Sequence, residues 1–191
     1  FEFALYDGDT LVAESGYTDA AGGARLVWNI ENVGTYTYTL QQTKGTAPGV
    51  TYDAATFNIT VVVTDVNGQL QAAVEAGEIK FANTYVPAPT EATISGNVSL
   101  TGRPMNAGEF SFVLTQNGQT VHTVANDLNG SFFFTLPFNA VGTYSYTVSQ
   151  VMGTAPGVTY DTATFDITVV VTDVNGQLQA TAETGEIQFT N

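Results

Sequence analysis

The sequence predicts an all-β protein: two tandem β-sandwiches forming an elongated rod, the first lacking its opening strand. Three observations carry this expectation. Stretches such as YTYTLQQ (36–42) and YSYTVSQ (144–150) place an apolar residue at every second position, as in a strand with one face in a core. Long strings recur: GTAPGVTYD at 45–53 and 153–161, VVVTDVNGQLQA at 61–72 and 169–180, FEFAL at 1–5 against FSFVL at 110–114, and FAN at 81–83 against FTN at 189–191. Asn-Gly pairs at 67–68, 117–118, 129–130 and 175–176 suit the primed turns of tight hairpins.

The two copies run in register at a spacing of 108 residues, or 109 near the start. A period of that length is a whole domain, not a solenoid turn. In the second copy the alternation and turn pairs place strands near 92–101, 109–116, 119–126, 131–138, 143–151, 163–173, 177–183 and 186–191. Eight short strands in about 100 residues read as an immunoglobulin-like sandwich. The first copy has counterparts for all but one of them. The segment 92–109, ATISGNVSLTGRPMNAGE, has no equivalent before Phe1. The domains are therefore expected at 1–86 and 92–191. The Pro-containing stretch 87–91 is expected as a short stiff linker, since Pro87 and Pro89 remove donors and favour extended backbone.

The gap before Phe1 leaves a sheet edge and a row of core side chains beside Asn83 uncovered. Two origins stay open: truncation of a longer chain, or a strand supplied by a neighbouring subunit, which would make a head-to-tail filament. With no signal peptide and no initiator methionine, the sequence reads as a mature fragment or an internal piece.

Charge is lopsided, with 18 acidic against 4 basic residues for a formal net charge of −14. Nucleic acid is excluded as a partner because phosphate binding needs clustered Lys and Arg, and anionic membranes are excluded on the same ground. The acidity fits solubility and self-repulsion of a surface-exposed protein. Cysteine is absent, which fits a bacterial extracellular protein stabilised by other means, or a cytosolic one. No apolar run exceeds strand length.

Parity raises a chemical question. Gln150 continues the inward row Tyr144, Tyr146, Val148, and Gln42 continues Tyr36, Tyr38, Leu40. Each amide should therefore point into a core, where an unpaired one costs about 1–3 kcal/mol.

Other candidates carry less. His122 is the only histidine and there is no cysteine, so neither a zinc site nor a Ser-His-Asp arrangement repeated in both copies can be assembled. The strings DVNG at 65–68 and 173–176 faintly resemble calcium loops but lack the twelve-residue spacing and final Glu, and a hairpin turn explains them better. Asn58, Asn97 and Asn129 open N-x-Ser/Thr triplets, relevant only in a eukaryotic secretory pathway. Trp28 and the nine tyrosines could line a carbohydrate site, but most tyrosines alternate with Thr or Val and read as core.

The strings TISGNVSLTGRPMNAGEFSF (93–112), GTYSYTVSQVMGTAPGVTYDTATFDITVVVTD (142–173) and EIQFTN (186–191) carry a family resemblance. The chain resembles the isopeptide-linkage domains of Gram-positive major pilins and cell-wall-anchored adhesins. The match spans the whole second copy and all but the first strand of the first. The resemblance implies a sandwich cross-linked by a Lys–Asn bond between its first and last strands, assisted by a Glu on a central strand. Position by position, the Lys falls at Val98, the Glu at Gln150 and the Asn at Asn191. In the first copy Gln42 and Asn83 repeat the pattern.

The chemistry has been replaced. Residues 81–191 contain no lysine, Val98 cannot attack an amide, and a Gln cannot shuttle a proton as a carboxyl does. Lys80 and Asn83 are three apart and are expected on opposite faces of one strand. Gln42 and Gln150 thus read as relics of a catalytic position, with Asn83 and Asn191 as their expected hydrogen-bond partners, amide to amide. An ester joining a Gln and a Thr is the alternative covalent link. Neither a sorting signal nor a recognisable polymerisation lysine motif is present.

Together these readings predict a non-enzymatic stalk or shaft repeat of a bacterial cell-surface adhesin or pilus, needing no cofactor. Its partners would be neighbouring repeats or subunits, with host surface ligands met through a tip domain elsewhere. The alternatives are an adhesive module for host glycan or protein, and a filament subunit assembled by strand donation.

Overall fold

Hairpin turns set the architecture. Asn67, Asn117 and Asn175 adopt positive φ of 56°, 52° and 52°, and each precedes a glycine of positive φ, the backbone of a type I′ turn that keeps paired strands twisting together. The pair Asn129-Gly130 differs: only Gly130 has positive φ, and the Asp127 carboxylate holds this turn by accepting the Asn129 and Ser131 N–H groups, both at 2.8 Å.

The computed structural model describes residues Phe1–Asn191, which form fifteen strands, no helix, and two compact units, Phe1–Val86 and Pro87–Asn191. The first unit holds β1 (Phe3–Asp7), β2 (Thr10–Glu14), β3 (Gly34–Gln42), β4 (Val50–Thr51), β5 (Thr56–Val66), β6 (Gln69–Glu75) and β7 (Thr84–Tyr85). The second holds β8 (Thr90–Ser99), β9 (Ser111–Gln116), β10 (Gln119–Ala125), β11 (Ser131–Phe138), β12 (Gly142–Gln150), β13 (Thr164–Val174), β14 (Gln177–Glu183) and β15 (Gln188–Thr190).

The second unit is a complete sandwich of a five-stranded sheet, β10-β9-β12-β13-β14, and a three-stranded sheet, β11-β8-β15. All eight strands fall where the alternation places them. Strand β8 is the middle of its sheet, antiparallel to β11 and parallel to β15. Its burial alternates strictly, with Ala92, Ile94, Gly96 and Val98 inward. The facing sheet contributes Phe112, Leu114, Val148, Ile167 and Val169, all buried. Phe112 and Phe132 stack across the layers at 3.8 Å. Each such fully buried ring contributes about 2–3 kcal/mol. The stretch 87–91, expected as a linker, is held against this unit: Ala88 N–H donates to Gly176 O and Leu178 N–H donates to Ala88 O, at 2.7 and 2.9 Å.

The first unit keeps the five-stranded sheet, β2-β1-β3-β5-β6, and adds only the short pair β4-β7. Here the expectation of a single missing strand needs correction, because three are missing. Residues 23–30 and 80–82, the counterparts of β11 and β15, are not strands. The reason lies in the topology of the second unit: β8 lies between β11 and β15, so without an equivalent both flanking segments lose their ladder partner. The core thins accordingly. Leu70 is 45% exposed where Leu178 is 1%, and Ile79 is 39% exposed where Ile187 is 3%.

Candidate functional site

Two places draw attention: the buried positions Val98, Gln150 and Gln42 singled out in the sequence, and the open face of the first unit. Val98 sits on β8 opposite Phe189 in parallel register and is buried. Gln150 closes the inward row of β12, opposite Phe112 on β9, and is 6% exposed. Rings Phe112 and Phe189 lie 5.1 Å apart and join the two sheets at this level. Strand parity thus carries Val98 and Gln150 to the inside, as the sequence indicates. Gln42 does the same in the first unit, opposite Phe3 and 7% exposed.

The expected amide pairing does not form. Neither the oxygen nor the nitrogen of Gln150 or Gln42 has a hydrogen-bond partner, and Asn191 Nδ2 has none either. The asparagine oxygens turn elsewhere. Asn191 Oδ1 accepts the Asp161 N–H at 2.8 Å, and Asn83 Oδ1 accepts the Asp53 N–H at 2.9 Å. The aspartates answer in kind. Asp161 takes the Thr190 and Ala163 N–H groups at 2.8 and 2.9 Å, and Asp53 takes those of Ala82 and Ala55 at 2.7 and 2.9 Å.

Each Asn–Asp pair ties the end of its module to the turn after Pro-Gly-Val-Thr-Tyr. Backbone N–H groups hold both carboxyls below the ordinary range, chiefly Ala82 for Asp53 and Thr190 for Asp161, because these bonds favour the charged form. Sequence reasoning missed both aspartates. The available signal was that the repeated string ends in Asp in both copies, two residues before an N–H that an Asx turn can reach.

Chemically, the second unit offers no nucleophile at Val98 and no ionisable group at Gln150. In the first unit Lys80 and Asn83 border the same open cavity. Lys80 is exposed and Asn83 half-buried, though the segment joining them is not a regular strand. That cavity, about 720 Å³, is also bordered by Phe1, Phe3, Ala24 and Phe81. A second opening of about 330 Å³ lies along Leu26, Trp28 and Ile30 above Val61 and Leu70. The counterparts of Leu26, Trp28 and Ile30 in the second unit, Phe134, Leu136 and Phe138, lie on the strand paired with β8.

The remaining candidates have structural explanations. His122 lies edge-on to Phe134 at 6.4 Å. Asp65 and Asp173 accept the Gly68 and Gly176 N–H groups at 2.7 and 2.9 Å, bracing their hairpins.

The family model FctA, described as "Spy0128-like isopeptide containing domain", matches residues 1–86 and 94–191. Among solved structures, the chain is similar to three major pilins of Streptococcus pyogenes. One is 18% identical over 99% of this chain and 89% of that one, with a TM-score of 0.34. The pilin T-13 is 18% identical over 99% and 87%, TM-score 0.32. The pilin T3.2 is 14% identical over 100% and 88%, TM-score 0.32. No curated protein matches the sequence.

Proposed function

We propose that this chain, which belongs to the FctA family of Spy0128-like isopeptide-containing domains, is a non-catalytic repeat of a pilus or adhesin shaft at the surface of a Gram-positive bacterium. Its work is spatial, holding a binding tip away from the cell through neighbouring repeats or subunits. The single observation that supports this most is the duplication. The turn GTAPGVTYD and the hairpin VVVTDVNGQLQA are repeated unchanged, whereas loops selected to bind a ligand diverge between copies. The cross-link positions agree: a valine and a glutamine face the core where the family's reaction needs an amine and an acid.

Antibodies raised against the chain, applied to intact cells of the source organism, test the proposal. Labelling along the length of surface fibres supports it. Labelling confined to fibre tips would favour the adhesive reading instead, and absence from the surface would overturn both. Strand donation between subunits draws its support from the open face of the first unit.

A further inference from the structure

We infer that the open face of the first unit is a strand-acceptor groove with its own size code. It takes a strand of the same polypeptide leading into Phe1, and it discriminates against β8. The second unit shows what such a groove holds. There β8 lies between β11 and β15, and its inward positions 92, 94 and 96 face Leu136, Phe134 and Phe132. Position 96 has to be glycine: a Cβ would lie 2.3 Å from Phe132 Cζ and 2.8 Å from Ile187 Cγ2, and Phe132 is itself pinned by its stack on Phe112.

At the 108-residue spacing, the first unit carries Trp28, Leu26 and Ala24 at these facing places. The phenyl ring that forbids a side chain at position 96 is replaced by a methyl group, and Ala24 borders the 720 Å³ cavity. Opposite position 92 the change runs the other way, with Trp28 for Leu136. The matching strand is therefore bulky and apolar where β8 has Gly96, and small where β8 has Ala92. In this groove β8 would leave a void the size of a ring. Conversely, the first unit's own strand would clash with Phe132 in the second. Near-identical tandem repeats are prone to exchanging strands, and a size difference of this kind suppresses the exchange.

Four observations favour the same polypeptide over a second copy. Phe1 borders the groove mouth. Its nitrogen donates to Thr18 Oγ1 at 3.2 Å, the place where the peptide N–H of Phe110 donates to Asn126 Oδ1 at 2.7 Å, so a peptide bond entering Phe1 keeps this contact. The β8 of a second copy is already the middle strand of its own sheet, and the like charge of −14 on each chain opposes association.

The test uses the 191-residue chain and two synthetic peptides, residues 90–101 as they stand and the same peptide carrying Gly96→Phe. Trp28, the only tryptophan, borders the groove and reports binding by its emission. The expected result is binding about tenfold tighter for the Gly96→Phe peptide, since filling a void the size of a ring is worth at least that factor. Ala24→Phe, at an exposed position, should reverse the preference. Joining the Gly96→Phe version of residues 90–109 to Phe1 should slow amide exchange at 24–30 and 79–83. Equal or tighter binding of the unmodified peptide would overturn the size code. No binding, with no effect of the fusion, would overturn the groove as an acceptor. Concentration-dependent dimers of the 191-residue chain would show that a second copy is the occupant and overturn the assigned source. None of these results bears on the shaft role, which the cell labelling tests separately.

Discussion

Asp161 and Asn191 tie together the two chain segments that carry them. The Asp161 N–H donates to Asn191 Oδ1 at 2.8 Å, while Asp161 Oδ2 accepts the N–H of Thr190, the residue before that asparagine. Asp53 and Asn83 repeat the arrangement through Ala82. Each asparagine thus closes the end of its module by hydrogen bonds. Replacing Asn191 with Ala removes one of these and leaves the part-buried Asp161 N–H without its partner, at a cost of about 1–3 kcal/mol. Urea unfolding of the second unit measures it.

Acid should loosen the same closure. Asp161 has its carboxyl lowered from an ordinary value of 3.8 by the Thr190 and Ala163 N–H groups. A group whose folded value is depressed adds stability that is complete above the unfolded value and lost as pH falls through the folded one. Stability should therefore be level above about pH 5 and fall below pH 4. Asp161→Asn should flatten that fall, as read by thermal melts across the acid range.

The chain should carry no cross-link in its second unit. Its intact mass should equal the sequence mass, because Val98 supplies no amine. Val98→Lys alone buries an unpaired ammonium and should cost about 3–5 kcal/mol. Val98→Lys combined with Gln150→Glu supplies the amine and the acid that the family resemblance places at these positions, and loss of one ammonia mapped to the Asn191 peptide is the expected outcome.

Gln150→Met should stabilise the second unit by about 1 kcal/mol. Both polar atoms of Gln150 are buried without a hydrogen-bond partner, and a side chain of similar length without them removes that penalty. Destabilisation in denaturant melts would show that the amide itself supports the fold.

Gly96→Ala should cost the second unit about 1–3 kcal/mol by overpacking. The added methyl meets Phe132 at 2.3 Å, and the stack of Phe132 on Phe112 blocks its retreat.

Much of this was legible in the sequence where a face is buried and the period is two. All eight strands of the second unit follow from alternation and the turn pairs, and the inward turn of Val98 and Gln150 follows from alternation. What alternation does not encode is partnership. Residues 25–30 keep an alternating burial pattern, yet they form no strand because their partner, the counterpart of β8, is missing. Parity likewise points Gln150 inward without saying where Asn191 turns. That is decided by the Asp161 turn, thirty residues before Asn191 in the chain. Lys80 and Asn83 fall outside the reach of parity for the same reason, since a face has meaning only within a paired strand.

The central claim is that one middle strand separates a complete module from an open one. Residue-resolved amide hydrogen exchange on the 191-residue chain tests it most directly. Residues 24–30 and 79–83 should exchange orders of magnitude faster than their counterparts 132–138 and 187–191, while β3 and β5 stay protected much as β12 and β13 are. Equal protection of the two sets would contradict it.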